Sequence, residues 1–227
     1  MKAKSDRLAQ RQAPTAAAKA KAGTRRPTVR MPAPERKAMI LARAFEFFSE
    51  HGLTAQTRAL AEACGVSQRL LYSIFPNKAA LISAVYEANV AGPFKAVWFV
   101  QLRDRSKPLE QRLNAFYQAY YRGVLTRSWL RLFLYASLAE EEMAPTYIGS
   151  IVRTLLEAVV EEALHDARLP LPQDRALLQE LGWALHGNVS HLGIRRHIYR
   201  DQTQLDVDTV IALHVRAFLG GIRSAAG

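Results

Sequence analysis

From Arg36 onward, apolar side chains recur at steps of three and four residues, and no stretch alternates apolar and polar positions with period two. Helices are therefore expected throughout, and strands are not. The first helix carries Met39, Ile40, Ala44, Phe47 and Phe48 on one side and stops at Gly52, because glycine takes the left-handed conformation that closes a helix. Two short helices follow. One runs from about Thr54 or Gln56 to Cys64, marked by Ala59, Leu60 and Ala63, and the other from Ser67 to about Ile74, halted before Pro76. A fourth begins near Lys78, passes Leu81, Ile82, Val85 and Tyr86, and is broken by Gly92-Pro93.

The remainder reads as five or six longer helices separated near residues 105–108, 126–127, 144–145, 169–172 and 200–205. Leu109, Leu113, Phe116, Tyr120 and Val124 form one stripe. The run from Ile148 through Ile151, Val152, Leu155, Leu156, Val159, Val160 and Leu164 is too wide for a single partner helix. Leu177, Leu181, Leu185, Asn188 and Leu192 make another long face, and Val207, Val210, Ile211, His214 and Phe218 mark the last helix. No repeat recurs at solenoid periods, so a compact bundle is expected. The fold class is all-α: a three-helix helix-turn-helix domain at residues 35–80 followed by a helical bundle at residues 81–224.

Composition narrows the setting. With 227 residues and 49% hydrophobic content the chain can bury a sizeable core. No run approaches the length of a bilayer-spanning helix, and no apolar signal segment opens the sequence. The single cysteine, Cys64, excludes an internal disulfide and fits a reducing cytoplasm. Of the formal charge of +11, nine bases against Asp6 place +8 in residues 1–34. That Ala-, Lys- and Arg-rich segment cannot offset its ordering entropy by burial and reads as a disordered basic arm. Two roles stay open for it, a phosphate-tracking arm or a solvated leader. Global charge thus says little about the folded part, whose chemistry has to come from local motifs.

The informative segment runs from Arg58 to Lys78, R-A-L-A-E-A-C-G-V-S-Q-R-L-L-Y-S-I-F-P-N-K. Gly65 stands where the chain turns sharply between two helices, Val66 and Leu71 lock them together, and Ser67 is placed to cap the second. Gln68 and Arg69 then fall in the first turn of a helix that can enter a major groove. Leu60-Ala61, Gly65-Val66-Ser67, Leu71-Tyr72, Phe75 and Lys78, in this order and spacing, resemble the tetracycline-repressor (TetR-type) family. The likeness spans about residues 36–86; beyond that it rests on length and helical character.

The resemblance implies a DNA-binding transcriptional regulator, a ligand-responsive repressor acting as a homodimer joined by its last two long helices. Carried over by position, it makes Gln68, Arg69 and Leu70 the base readers, with Ser67, Tyr72 and Lys78 at phosphates and Thr57 and Arg58 on backbone or flanking bases. Arginine pairs with guanine, glutamine with adenine, and leucine can touch a thymine methyl. The span from Gly52 to Gly65 is one residue shorter than the common family spacing, and Ile74 stands where His or Tyr is frequent.

In the body, Trp98, Phe116, Tyr120, Trp129, Phe133 and Trp183, with polar His186 and Asn188, are the candidates for an effector pocket. Ordinary core packing is the simpler explanation of any one of them, and only their number points to a cavity. The six histidines include no pair four apart, so no metal site is expected. With no nucleophile elbow, phosphate loop or dinucleotide fingerprint, neither a cofactor nor an enzymatic activity is expected. Cys64 is read as a small buried residue, with redox sensing as the alternative.

Overall fold

Helix α1 (Ala33–His51) begins two residues inside the segment expected as an arm and closes at Gly52 with φ +76°. The computed structural model describes residues 31–139, 142–202 and 205–225. The expectations for residues 1–30 lie outside them. Ile40, Ala44 and Phe48 of α1 are fully buried, whereas Met39 and Phe47 are only half-buried. The stripe was read at the right period but is narrower than expected.

Helices α2 (Thr57–Ala63) and α3 (Gln68–Ile74) meet at Gly65, φ +68°. A Cβ there would sit 2.8 Å from an Nη of Arg43, whose guanidinium donates to the Cys64 carbonyl; the flexible arginine could shift, so it is the left-handed turn that favours glycine. Helix α4 (Lys78–Val85) is capped by the Asn77 side chain, which accepts from the Ala80 N–H at 2.8 Å, and passes into a π-helical turn, residues 86–91. Leu60, Leu71, Leu81 and Val85 complete the small core over α1.

Helix α5 (Val97–Leu102) leads to α6 (Leu109–Gly123), whose expected stripe is buried at all five positions. Helix α7 (Arg127–Leu138) starts at a Thr126 cap. The break expected at residues 144–145 lies earlier: α8 (Met143–Tyr147) runs through Pro145. Pro145 sits in the first turn, where a missing N–H leaves no helical bond unmade. Through a π-helical turn at residues 148–152, α8 continues into α9 (Arg153–Ala167). The wide stripe of α9 is explained by its place in the middle of the bundle, against α5, α6, α10 and α11.

Helices α10 (Arg175–His197) and α11 (Val207–Ala225) complete the bundle. Among the described residues every regular element is helical, and from Ala33 onward they pack as one unit. Helix α10 crosses α9 closely at Gly182, where a Cβ would lie 2.7 Å from Leu156 Cβ and 3.0 Å from its Cα. Between α6 and α9 the buried Glu162 carboxylate accepts from the buried Arg112 guanidinium at 2.8 Å and from Arg105 at 2.9 Å. Burial alone would raise the Glu162 pKa, but the two guanidiniums overcome it and hold the group below its ordinary value.

Candidate nucleic-acid interface

Helix α3 buries one side chain, Leu71. Its exposed side carries Gln68, Arg69, Tyr72 and Ser73, with Leu70 half-buried at the margin. The Ser67 hydroxyl oxygen accepts from the Leu70 N–H at 3.1 Å, so the expected cap forms and sets the start of the helix. Gln68 and Arg69 have no hydrogen-bond or ion-pair partner among the described residues. Two donor-rich side chains are thus presented to solvent from the first turn of a short, well-capped rod.

The flanking candidates are drawn together by hydrogen bonds. The Tyr72 hydroxyl donates to Thr57 Oγ1 at 3.2 Å, joining α3 to the first residue of α2. Arg58 pairs along its own helix with Glu62 at 3.5 Å, both highly exposed, an arrangement that costs little to open. Lys78 is half-buried, and its ammonium donates to the Ala55 carbonyl at 2.7 Å. It therefore steadies the α1–α2 loop, a role that sequence spacing does not reveal, and keeps two further donors.

Helix α7 ties this unit to the body. Arg131 donates through Nε to the Ser49 carbonyl at 2.6 Å and through Nη2 to the Glu50 carbonyl at 3.1 Å, and its guanidinium also reaches the Tyr135 hydroxyl. These carbonyls belong to the last turn of α1, where no helical N–H remains to satisfy them. Arg127 pairs with Glu50, and the Ser128 hydroxyl donates to Glu46 at 2.8 Å.

In the body, the structure gathers six of the eight effector candidates. Trp98, Phe116, Tyr120 and His186 interlock around Phe94 and Tyr117, and Trp129 stacks on Phe133 beside Tyr147. Half-buried Trp183 lies against His186 at the edge. Asn188 is a correction: it is exposed and donates to the Ala184 carbonyl one turn back, because it lies on the outer side of α10.

The interior of this cluster is unusually polar. The Tyr120 and Tyr147 hydroxyls stand 3.5 Å apart, while the Tyr117 hydroxyl and His186 Nδ1 are buried without a partner among the described residues. Burial pushes the Tyr117 and Tyr120 hydroxyls up, Tyr147 up to about 12, and His186 down to about 4. Tyr147 was not singled out from the sequence, and Tyr117 only as one of many body aromatics, because tyrosines at helical spacing look like any other core.

Cys64 is buried and its thiol is pushed up by burial, the opposite of what a redox-sensing thiolate needs. Among the described residues no group of three metal-ligating side chains occurs, and no helix is long and apolar enough to cross a membrane. A cleft of about 580 Å³ opens between α4 and α8, walled in part by Leu53, Ile82, Tyr86 and Met143, and shares no residue with the eight effector candidates.

Residues 40–85 match the family model described as bacterial regulatory proteins, tetR family. No curated protein matches the chain. Among solved structures, a TetR-like transcriptional regulator from Rhodococcus sp. RHA1 aligns with a TM-score of 0.65 at 18% identity, over 85% of this chain and 98% of that one. A tetR-family transcriptional regulator from Streptomyces coelicolor gives 0.60 at 20% identity, over 87% and 85%. The fatty acid degradation regulator FadR from Bacillus halodurans gives 0.61 at 17% identity, over 85% and 98%. At these identities the likeness establishes a shared fold. Residues 40–85, which carry the exposed face of α3, are thus similar to the tetR family of bacterial regulatory proteins, and the all-helical chain shares its fold with these solved regulators.

Proposed function

We propose that the chain is a ligand-responsive repressor that binds a palindromic operator as a homodimer. The observation that carries the DNA-binding part is the exposed, unpartnered pair Gln68 and Arg69 on a helix whose only buried side chain is Leu71. Gln68, Arg69 and Leu70 read base edges in the major groove; Ser67, Tyr72 and Lys78 meet phosphates, and Thr57 and Arg58 the flanking backbone. The partner copy docks through α10 and α11, which leave Leu177 and Leu213 about half exposed on their outer sides. Two copies of α3 then stand about 34 to 36 Å apart, one helical turn of duplex.

The effector enters the aromatic body among Trp98, Phe116, Tyr120, Trp129, Phe133, Trp183 and His186. The orphaned Tyr117 hydroxyl and His186 Nδ1 support this reading, since buried polar atoms are ordinarily paired. An effector acts by binding the DNA-releasing state more tightly; swinging the population from 1:99 to 99:1 takes about 5.5 kcal/mol of differential binding. The protein works where its operator is, in the cytoplasm.

Selection of bound duplexes from a random pool, followed by mobility shift at physiological salt, tests the reading. Enrichment of an inverted repeat is expected. Equal affinity for every duplex would leave a helical binding protein that has lost DNA readout.

A further inference from the structure

The cleft between α4 and α8 has two walls of different origin. Leu53, Ile82 and Ser83 come from the helix-turn-helix and the helix that follows it, and Met143 and Thr146 come from the body. Its volume of about 580 Å³ lies within the range of small-molecule sites. Its charges are not balanced. Glu87 and Glu142 both line it, neither carboxylate with an ion-pair partner among the described residues, against one lining base, Lys78, whose ammonium donates to the Ala55 carbonyl, so the lining carries one excess negative charge. Tyr86, adjoining Glu87, adds an aromatic ring, a surface that attracts cations.

We propose that this cleft is a binding site for an organic cation with an apolar, ring-sized body. The walls of Leu53, Ile82 and Met143 would take the apolar part, and Glu87 and Glu142 the positive end. Two carboxylates with no third ligand do not make a metal site, and among the described residues no metal-ligating trio exists. An anion would meet two unpaired carboxylates. The site is separate from the aromatic cluster of the body and does not depend on the operator reading.

The test uses the full chain and two fluorescent probes of one shape and opposite charge, 1-naphthylmethylammonium and 1-naphthylacetate, followed by anisotropy without DNA. Saturable binding of the cation is expected, with the anion at least about tenfold weaker. The doubly substituted Glu87→Gln, Glu142→Gln protein should lose about tenfold in cation affinity. Ser83→Trp, made from an exposed position so that the fold is kept, should block the cleft and abolish binding. Equal affinity for both probes, no saturable cation binding at millimolar concentration, or undiminished binding by Ser83→Trp would each overturn the proposal. Because no DNA is present, the outcome is independent of whether the protein selects an operator.

Discussion

Arg69 and Tyr72 lie three residues apart on one short helix, yet they do different work. Arg69 makes no hydrogen bond or ion pair within the described residues and is exposed, so Arg69→Ala should leave the melting temperature where it is. On the selected operator it should cost about 1 to 3 kcal/mol and relax preference at one base position. A mobility-shift series over single-base operator variants checks this, and a loss equal on all duplexes would assign base reading to another side chain. Tyr72→Phe removes the hydroxyl that bonds Thr57. It should cost at most about 1 kcal/mol in urea unfolding, because it loosens the α2–α3 joint, and on the proposed phosphate role of Tyr72 it should weaken all duplexes alike. At this scale the sequence was most legible. Ser67 as cap, Gly65 as turn and Leu71 as lock are local relations within one short segment. The loop contact of Lys78 was not legible there, because its partner, the Ala55 carbonyl, lies 23 residues away.

Between elements, long-range contacts decide what local pattern cannot. The α1–α7 joint turns on Arg131, which satisfies terminal carbonyls of α1 across 82 residues of sequence. Arg131→Ala strands the partly buried Ser49 carbonyl and should destabilise the protein by about 1 to 3 kcal/mol, whereas Arg127→Ala, which breaks an exposed pair, should change unfolding little. Equal effects of the two would show that charge rather than capping holds the joint. The α9–α10 crossing offers a second check. In an exposed helix interior Gly→Ala gains up to about 1 kcal/mol, but at Gly182 the new methyl meets Leu156 Cβ and backbone, so Gly182→Ala should destabilise by about 1 to 3 kcal/mol in urea melts. Helical period was readable from apolar spacing, but the body has seven helices, α5–α11, among the described residues where five or six were expected, because α5 and α8 are too short to show a stripe. The break at residues 144–145 was misplaced because proline reads as a stop unless its position in the first turn is known. Asn188 was assigned inward because it falls at helical spacing between Leu185 and Leu192, yet those two are buried while Asn188 itself is exposed.

Across the whole molecule, two buried groups couple the fold to pH, in different windows. His186 is held neutral, its pKa lowered by burial from 6.5 to about 4. Its unfolded form therefore takes up a proton first, so its contribution is complete above pH 6.5 and is lost as pH falls toward 4, up to about 3 kcal/mol in all. His197 and His214 are lowered too and act in the same direction. Glu162 is held below its ordinary 4.5 by Arg105 and Arg112 against the cost of burial, so its contribution persists above that value and fails only beneath it. Urea unfolding at stepped pH separates the two. His186→Leu, close in volume, should stay within about 1.5 kcal/mol of the parent at pH 7 and show a shallower decline between pH 6.5 and 4.5. Glu162→Gln should keep that decline but lose about 3 to 5 kcal/mol at neutral pH, because it leaves Arg112 buried without its counter-charge. A His186→Leu protein whose stability falls as steeply as the parent's would place the neutral-to-acid sensitivity in the other histidines.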